Sequence, residues 1–214
     1  FEDCFPWSRS TALRQSLLHD GLIRDGEEFV RAHYACTCQS APKLDSDSPK
    51  DARMREMFVL NLQWFMATLL DRKDRTSMYS GLEVRVPFCD HRIVEYAYNM
   101  PWSMKALDGR EKGIVRKAFE NDLPEEITWR KKSPYPKTFS PVYTQIVADA
   151  LREKMHDKTS ILPQFFRWDV LEELMEHPND LPEPWYGQLM RTPQIFAYLL
   201  QIDHWFRTYD VELI

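Results

Sequence analysis

The chain has 214 residues, of which 43% are hydrophobic and 13% aromatic, a composition typical of a folded domain with one sizeable core and unlike that of a disordered segment. Its formal net charge of -5 argues against a protein that binds nucleic acid along a broad basic face. The apolar run at residues 57–70 contains Asn61 and Gln63 and is shorter than the roughly 18 residues that span a membrane, so we expect no membrane contact.

The cysteine content indicates a reducing compartment. Four cysteines are too few for the disulfide framework of a secreted protein of this size, so we predict a cytoplasmic location. His33, Cys36 and Cys38 have a spacing that invites a metal site, but a Cys-x-Cys pair without a second ligand pair is incomplete, and we assign no metal. The chain opens at Phe1 without a signal peptide, and we expect the N-terminus of the whole protein to lie upstream.

Apolar spacing predicts two helices in the first part of the chain. The first covers residues 8–23 after an entry turn at residues 5–7, and the second covers residues 27–38. The polar segment at residues 40–49 is flanked by prolines and predicts a mobile loop. This loop is the best candidate for an internal hinge.

A third helix is predicted to open at Pro49 or Lys50 and to continue through residues 57–70. Apolar residues occupy almost every side of that run. We therefore expect other helices to enclose it, which would make it the core of the chain.

Charge arrives abruptly after this apolar run. Within residues 72–91, the basic residues of the segment 72–75 stand close to Glu83 and Arg85, and this concentration suggests an anionic ligand. The alternative is a solvated surface whose charges pair with one another, which is common at the end of a helix. Glu83 and Arg85 alternate with apolar residues in a strand or an extended loop, so their side chains point the same way.

Further helices follow this charged stretch. Asp90 is placed to cap a helix at residues 91–100. The next helix carries Lys112 and Arg116, which stand four positions apart and so project from one face. A basic cluster at residues 130–132 comes afterwards, and by itself such a cluster is typical of a solvated turn.

The tail is predicted to be helical and to serve in packing. Its helices are expected at residues 139–155, 168–176 and 192–209. Proline-rich connectors are expected at residues 133–138 and 177–185. No repeat or low-complexity segment interrupts the chain, and we treat residues 1–214 as a single unit.

Residues 72–91, RKDRTSMYSGLEVRVPFCDH, closely resemble the synthetase domain of glutamine-dependent asparagine synthetases. That family has a basic residue followed by x-x-S-M and then by G-L/V-E-x-R-V-P-F-L-D, and Cys89 stands here in place of the usual Leu. The resemblance continues through K-x-x-x-G at residues 105–109, E-K-x-I-V-R-x-A at 111–118 and L-P-x-x-I-x-W-R-x-K at 123–132. Several ordered motifs are far more specific than one.

The resemblance implies both a fold and a reaction. The chain would be the helical C-terminal portion of an α/β domain of the adenine-nucleotide α-hydrolase-like, or PP-loop ATPase, class. Since the parallel strands of that domain lie upstream, we expect this portion to be mostly α-helical. In the implied reaction, ATP, accompanied by Mg²⁺, adenylates the side-chain carboxylate of aspartate and releases pyrophosphate. Ammonia from glutamine then gives asparagine and AMP.

The family motifs imply roles for five residues. Lys132, the lysine of W-R-x-K, is expected to contact the reacting phosphate, a role that suits a compact ammonium group. Glu83 is expected to orient a cation or the incoming amine, and the alternative is that it forms a salt bridge to Arg85 or Lys112. Arg85, Lys112 and Arg116 are implied as supporting or pyrophosphate-facing cations.

Two family segments are absent from this chain: the S-G-G-x-D-S pyrophosphate loop and the S-G-E-G-x-D-E segment. Both lie upstream in the family, so we expect the chain alone to be inactive and to work with upstream glutaminase and nucleotide-binding parts, with a homodimer left open. One alternative is another amide-forming ligase of the superfamily, resembling a β-lactam synthetase or a surface-polymer amidotransferase. The other is a non-enzymatic helical module whose basic cluster binds an acidic partner.

Overall fold

The computed structural model describes residues 10–133, 140–181, 184–185 and 190–212, and the chain is mostly helical there, as predicted. The helices are α1 (Thr11–Ser16), α2 (Gly26–Gln39), α3 (Pro49–Leu60), α4 (Ala67–Tyr79), α5 (His91–Asn99), α6 (Trp102–Lys105), α7 (Gly113–Ala118), α8 (Glu125–Thr128), α9 (Pro141–His156), α10 (Leu162–Phe165), α11 (Trp168–Glu176) and α12 (Thr192–Tyr209). A π-helical turn (Asn61–Met66) joins α3 to α4, and 3₁₀ turns cover Pro87–Cys89 and Leu107–Gly109. No β-strand occurs in the described ranges.

Contacts divide the chain into two compact units. One is drawn from Phe1–Tyr34 and Lys137–Ile214, and the other from Ala35–Pro136. The assignment of residues 1–214 to a single unit of a synthetase domain stays a prediction. The entry turn at residues 5–7 and most of the connector at 133–138 lie outside the described residues, as do positions 182–183 of the second connector.

The hydrophobic core of the first unit is built by the tail helices. α9 begins where the Ser140 hydroxyl accepts a hydrogen bond from the Tyr143 N–H, and its apolar residues recur at helical spacing to form one buried stripe. α12 packs along α9. The fully buried side chains at the centre are Leu151, Leu162, Leu171, Ile195 and Phe196. Burying each of them contributes about 1.5–3 kcal/mol.

A buried carboxylate fastens α12 to the turn that follows α9. Asp203 is 2% exposed and accepts hydrogen bonds from the Ser160 hydroxyl at 2.7 Å and the Ile161 N–H at 3.3 Å. Arg207 completes the cluster, with its Nε 2.9 Å from Asp203 and its Nη2 2.8 Å from Asp157. Because the buried charge is paired and hydrogen-bonded, its burial is tolerated.

The first helix is shorter than predicted. α1 ends at Ser16, whereas the apolar spacing favoured a helix through residues 8–23. Beyond it the backbone pairs with a distant segment, because the Arg167 N–H donates to the Leu17 carbonyl and the His19 N–H donates to the Phe165 carbonyl, both at 2.9 Å. These long-range hydrogen bonds replace the helical ones and bury the Leu17 side chain.

The apolar run at residues 57–70 is not the core that we predicted. Val59 and Leu60 are its buried residues, and the other apolar side chains of the run are half-buried or exposed. A helix that is apolar on every side needs neighbours on every side. The described helices α5 to α8 of the same unit are short. Contacts with them, such as the edge-on packing of Phe58 against the Tyr98 ring, leave much of the run half-buried or exposed.

The loop predicted at residues 40–49 has no regular structure before α3 begins at Pro49. It is attached to α3 by ion pairs. Asp47 lies 2.8 Å from the Arg55 Nε, with both side chains under 10% exposed, and Lys43 lies 2.5 Å from Glu56. The mobility of this loop stays a prediction. In the part of the chain that the structure describes, no helix combines the length and the apolar character that crossing a membrane requires.

Candidate active site

A cationic pocket of about 290 Å³ lies between α7 and the segment that runs through α8 to Lys132. Its apolar lining comes from Val115, Phe119, Leu123 and Ile127. Its cationic lining comes from Lys112, Arg116, Arg130, Lys131 and Lys132. The structure therefore brings together three of the five residues that the family motifs implicated: Lys132, Lys112 and Arg116.

The start of α7 is shaped by an unusual backbone. Lys112 precedes the helix in a left-handed conformation, with φ 58°, which side chains other than glycine adopt infrequently. Gly113 follows and packs tightly, because a Cβ atom there would clash with the Leu107 backbone nitrogen. Gly113 occupies a variable position of the family motif, so the sequence reasoning missed it, although a glycine opening a helix was a signal of close packing.

Arg116 is held within the protein. Its side chain is 11% exposed, and its Nη2 lies 2.9 Å from the Glu111 carboxylate. Its Nε donates to the Glu111 carbonyl at 2.8 Å, and its Nη1 donates to the Thr128 carbonyl at 2.5 Å. A hydrogen bond from its own backbone N–H lowers the pKa of Glu111, and Arg116 lowers it further, so Glu111 remains ionised.

The other four cations of the pocket differ from Arg116 in their partners. Among the described residues, no carboxylate oxygen lies within 4.0 Å of the side-chain nitrogens of Lys112, Arg130, Lys131 or Lys132. The pocket's one acidic residue, Glu111, is committed to Arg116. This excess of positive charge favours an anion with several charged oxygens, such as a polyphosphate.

The segment that carries Lys132 is anchored at its beginning. Thr128 is 5% exposed, and its hydroxyl donates to the Pro124 carbonyl at 3.2 Å. The guanidinium of Arg110 lies over the ring of Trp129, 5.9 Å from its centroid. These contacts fix the end of α8 and leave Lys132 exposed beyond it.

Glu83 and Arg85 do not line this pocket. They form an exposed ion pair, with Arg85 Nη2 3.1 Å from Glu83 Oε1, so their side chains do point the same way. Other charges of the stretch pair similarly: Arg75 lies 2.7 Å from Asp71, and Arg92 lies 2.7 Å from Asp90. These three pairs match the alternative left open by the composition, a solvated surface whose charges pair with one another.

The chain matches the Asparagine synthase family model over residues 2–207. It belongs to the asparagine synthase family. It is 47% identical over 215 residues to asparagine synthetase [glutamine-hydrolyzing] 3 of Bacillus subtilis (strain 168), covering 99% of this chain and 35% of that protein. It is also similar to the glutamine-hydrolyzing asparagine synthetases of Bos taurus (37% identical) and Homo sapiens (35%), in each case over 73% of this chain and 23% of the relative. The chain thus spans about a third or less of these relatives.

Membership of the asparagine synthase family confirms the resemblance seen in the motifs. The motif helix at residues 91–100 forms as α5, and Asp90 caps it by accepting a hydrogen bond from the Arg92 N–H at 2.9 Å. Hydrogen bonds from the Arg92 side chain and backbone lower the pKa of Asp90 to about 2.

In the described ranges, no three His, Cys, Asp or Glu side chains are grouped closely enough to hold a metal ion.

A second cavity, of about 200 Å³, lies beside Lys105 of the family's K-x-x-x-G motif. The Lys105 ammonium donates to the Tyr98 carbonyl at 3.3 Å and lies 5.0 Å from the centre of the Phe58 ring. Burial lowers the pKa of Lys105. Arg55 also donates to the Tyr98 carbonyl, at 3.4 Å. Both cations therefore cap the C-terminal end of α5, where backbone carbonyls lack helical partners.

Proposed function

We propose that this chain is the helical C-terminal part of the synthetase domain of an ATP-dependent, glutamine-hydrolysing asparagine synthetase. The whole protein would adenylate aspartate and transfer ammonia to it, giving asparagine, AMP and pyrophosphate. The observation that carries this proposal is the cationic pocket, where Lys112 and Lys132 lie together with no described carboxylate paired to either. The similarity to relatives named glutamine-hydrolyzing asparagine synthetases supports the choice of reaction.

The pocket suits the charge that this reaction moves. In adenylation, a carboxylate oxygen of aspartate bonds to the α-phosphorus of ATP, and the bond to pyrophosphate breaks. Negative charge builds on the phosphate oxygens as the bonds change. Cations fixed beside those oxygens accelerate the step when they bind the transition state more tightly than the ground state. We assign this role to Lys132, with Lys112 facing the pyrophosphate.

Glu83 is assigned to the second half of the reaction. There, the lone pair of ammonia attacks the acyl carbon of the aspartyl adenylate, AMP leaves, and the nitrogen loses a proton. A carboxylate could hold the incoming amine or a cation beside it. The exposed pair of Glu83 with Arg85 is no obstacle, because such pairs contribute only about 0–1 kcal/mol and exchange partners readily.

The remaining parts of the enzyme would come from other segments of the same protein. We assign the ammonia supply to a glutaminase part and the binding of Mg²⁺ to the nucleotide phosphates and to groups outside this chain. A cytoplasmic location fits the thiols, since Cys36, Cys38 and Cys89 are all free. On this proposal the isolated chain makes no asparagine.

The test is pyrophosphate exchange into ATP by a full-length protein that contains this chain. Exchange that depends on aspartate is expected, together with asparagine formation from glutamine or ammonium. Exchange that depends on a different carboxylic acid would identify another amide-forming ligase. Absence of exchange with every carboxylic acid, from a folded protein that binds an acidic peptide, would favour the interaction module.

A further inference from the structure

Arg116 differs from the other cations of the pocket because its hydrogen bonds are already made. A guanidinium has five N–H donors. Three of those of Arg116 point to acceptors of the protein, two on Glu111 and one on Thr128. The side chain is 11% exposed, so a phosphate could reach it only after those bonds were exchanged.

The hydrogen bond from Arg116 to the Thr128 carbonyl lies at the end of α8, where the chain continues towards Lys132. Thr128 is the last residue of α8, and the carbonyls of a last helical turn have no partner within the helix. Arg116 supplies the missing donor, and its positive charge also suits the negative end of the helix. The chain leaves α8 at that carbonyl and reaches Lys132 four positions later.

The hydrogen bond between Arg116 and Thr128 also connects two of the family motifs. Arg116 belongs to the E-K-x-I-V-R-x-A motif, whereas Thr128 lies inside the L-P-x-x-I-x-W-R-x-K motif that ends at Lys132. The amides that follow are bonded back into α8: the Trp129 N–H to the Glu125 carbonyl at 2.9 Å and the Arg130 N–H to the Ile127 carbonyl at 3.4 Å. Holding the Thr128 carbonyl therefore holds the first residues of the segment that delivers Lys132.

We propose that Arg116 is a positioning residue, which fixes the place of Lys132 through the Thr128 carbonyl and does not itself bind phosphate. The effect of this role on catalysis rests on the proposed function. The holding of the segment at residues 129–132 through the Thr128 carbonyl does not depend on that function. A lysine at position 116 could not replace it, because one ammonium lacks the planar fork that reaches Glu111 and Thr128 together.

The decisive variant is Arg116→Lys in a full-length protein that contains this chain, with Lys117→Ala as the matched control. Lys117 lies on the same helix and pairs with Glu120 outside the pocket. In Arg116→Lys, the amide hydrogens of Trp129 and Arg130 should exchange at least about tenfold faster, since a hydrogen bond from a charged donor is lost. The kcat should fall by about tenfold or more with KM for ATP changed less than about twofold. The control should match the wild type in both.

Unchanged amide exchange together with a raised KM for ATP would show that Arg116 is a phosphate ligand and overturn the proposal. Should the whole protein lack synthetase activity, the exchange measurement still decides the mechanical role. Should Arg116→Lys fail to fold, the wild-type protein provides the test through the NMR signal of the Arg116 Nε–H. That proton should be protected before any ligand is added and should keep its chemical shift when inorganic pyrophosphate is titrated. A large shift on titration would overturn the proposal.

Discussion

Lys112 and Lys132 line one pocket, although α7 and α8 lie between them in the chain. Lys112 stands at the start of α7 and Lys132 stands beyond the end of α8, so the two ammonium groups face the same space from separate elements. Two cations held by different elements cannot both relax away from an anion through one local rearrangement. On the proposed function, these two cations would supply the positive charge that electrostatic catalysis requires.

Replacing Lys132 by Ala in a full-length protein should abolish most of the aspartate-dependent pyrophosphate exchange. The expected loss is about a hundredfold or more, because a donor that stabilises transition-state charge is removed. Lys117→Ala removes one charge from the adjacent helix outside the pocket and should leave the rate unchanged. Exchange at the wild-type rate in Lys132→Ala would refute the assignment of Lys132.

Replacing Glu83 by Gln should separate the two halves of the reaction. Pyrophosphate exchange should remain near the wild-type rate, whereas asparagine formation should fall by about tenfold or more, since Glu83 is assigned to the amine step. The folded state should be little affected, because the pair with Arg85 is exposed. Equal losses in both assays would place Glu83 in adenylation instead.

Replacing Gly113 by Ala should destabilise the helical unit around α7. The new methyl group would meet the Leu107 backbone at a distance that no side chain tolerates, so α7 or the preceding 3₁₀ turn must move. We expect a loss of about 1–3 kcal/mol in the free energy of unfolding, measured by urea denaturation. Gly109→Ala, where space is open but φ is +70°, should cost about 1–2 kcal/mol for backbone strain alone. A stability of Gly113→Ala equal to that of the wild type would contradict the packing described.

Replacing Asp203 by Ala should destabilise the first unit by about 3–5 kcal/mol, because Arg207 and the buried Ser160 hydroxyl lose their acceptor. Asp203→Asn keeps one acceptor oxygen and should cost less. Asp149→Ala, which removes an exposed carboxylate of α9, serves as the control and should change the unfolding free energy by less than about 0.5 kcal/mol. Equal changes in unfolding free energy for Asp203→Ala and Asp149→Ala would show that Asp203 does not stabilise the first unit.

Acid should weaken the attachment of α12 through Asp157. A hydrogen bond from Arg207 and two from Thr159 hold the pKa of Asp157 well below its usual value. A carboxyl group whose pKa is lowered by folding contributes stability above its unfolded pKa and loses it as the pH falls towards the folded pKa. The unfolding free energy should therefore fall between about pH 5 and about pH 2, and Asp157→Asn should flatten that slope. An unchanged slope would contradict the pairing.

The elements predicted correctly from sequence are those that local chemistry defines. α5 begins at Asp90 because a carboxylate beside the first free N–H groups caps a helix wherever it occurs. The end of α1 was predicted wrongly because Leu17 pairs with residues far along the chain, and apolar spacing contains no information about such a partner. The core was misplaced for a related reason, since the buried stripe of α9 is no more apolar in sequence than the run at residues 57–70.

The candidate site divides along the same line. Spacing alone indicated that Lys112 and Arg116 share a face, and both do line the pocket. Spacing could not indicate that Arg116 would donate a hydrogen bond to the Thr128 carbonyl, because that acceptor belongs to another helix. The pairing of Glu83 with Arg85 was foreseeable, because their alternation places both side chains on one side of the chain.

The π-helical turn Asn61–Met66 sets the angular position of the motif that follows it. A π-helical turn holds one residue more than an α-helical turn and so rotates everything beyond it by about 100° around the axis. The extra residue therefore sets the rotation, about the helix axis, of α4 and its basic residues at 72–75 relative to α3. Deleting one residue from the turn would let α3 and α4 continue as one regular α-helix, and the basic side chains at 72–75 would then point about 100° away from their present direction.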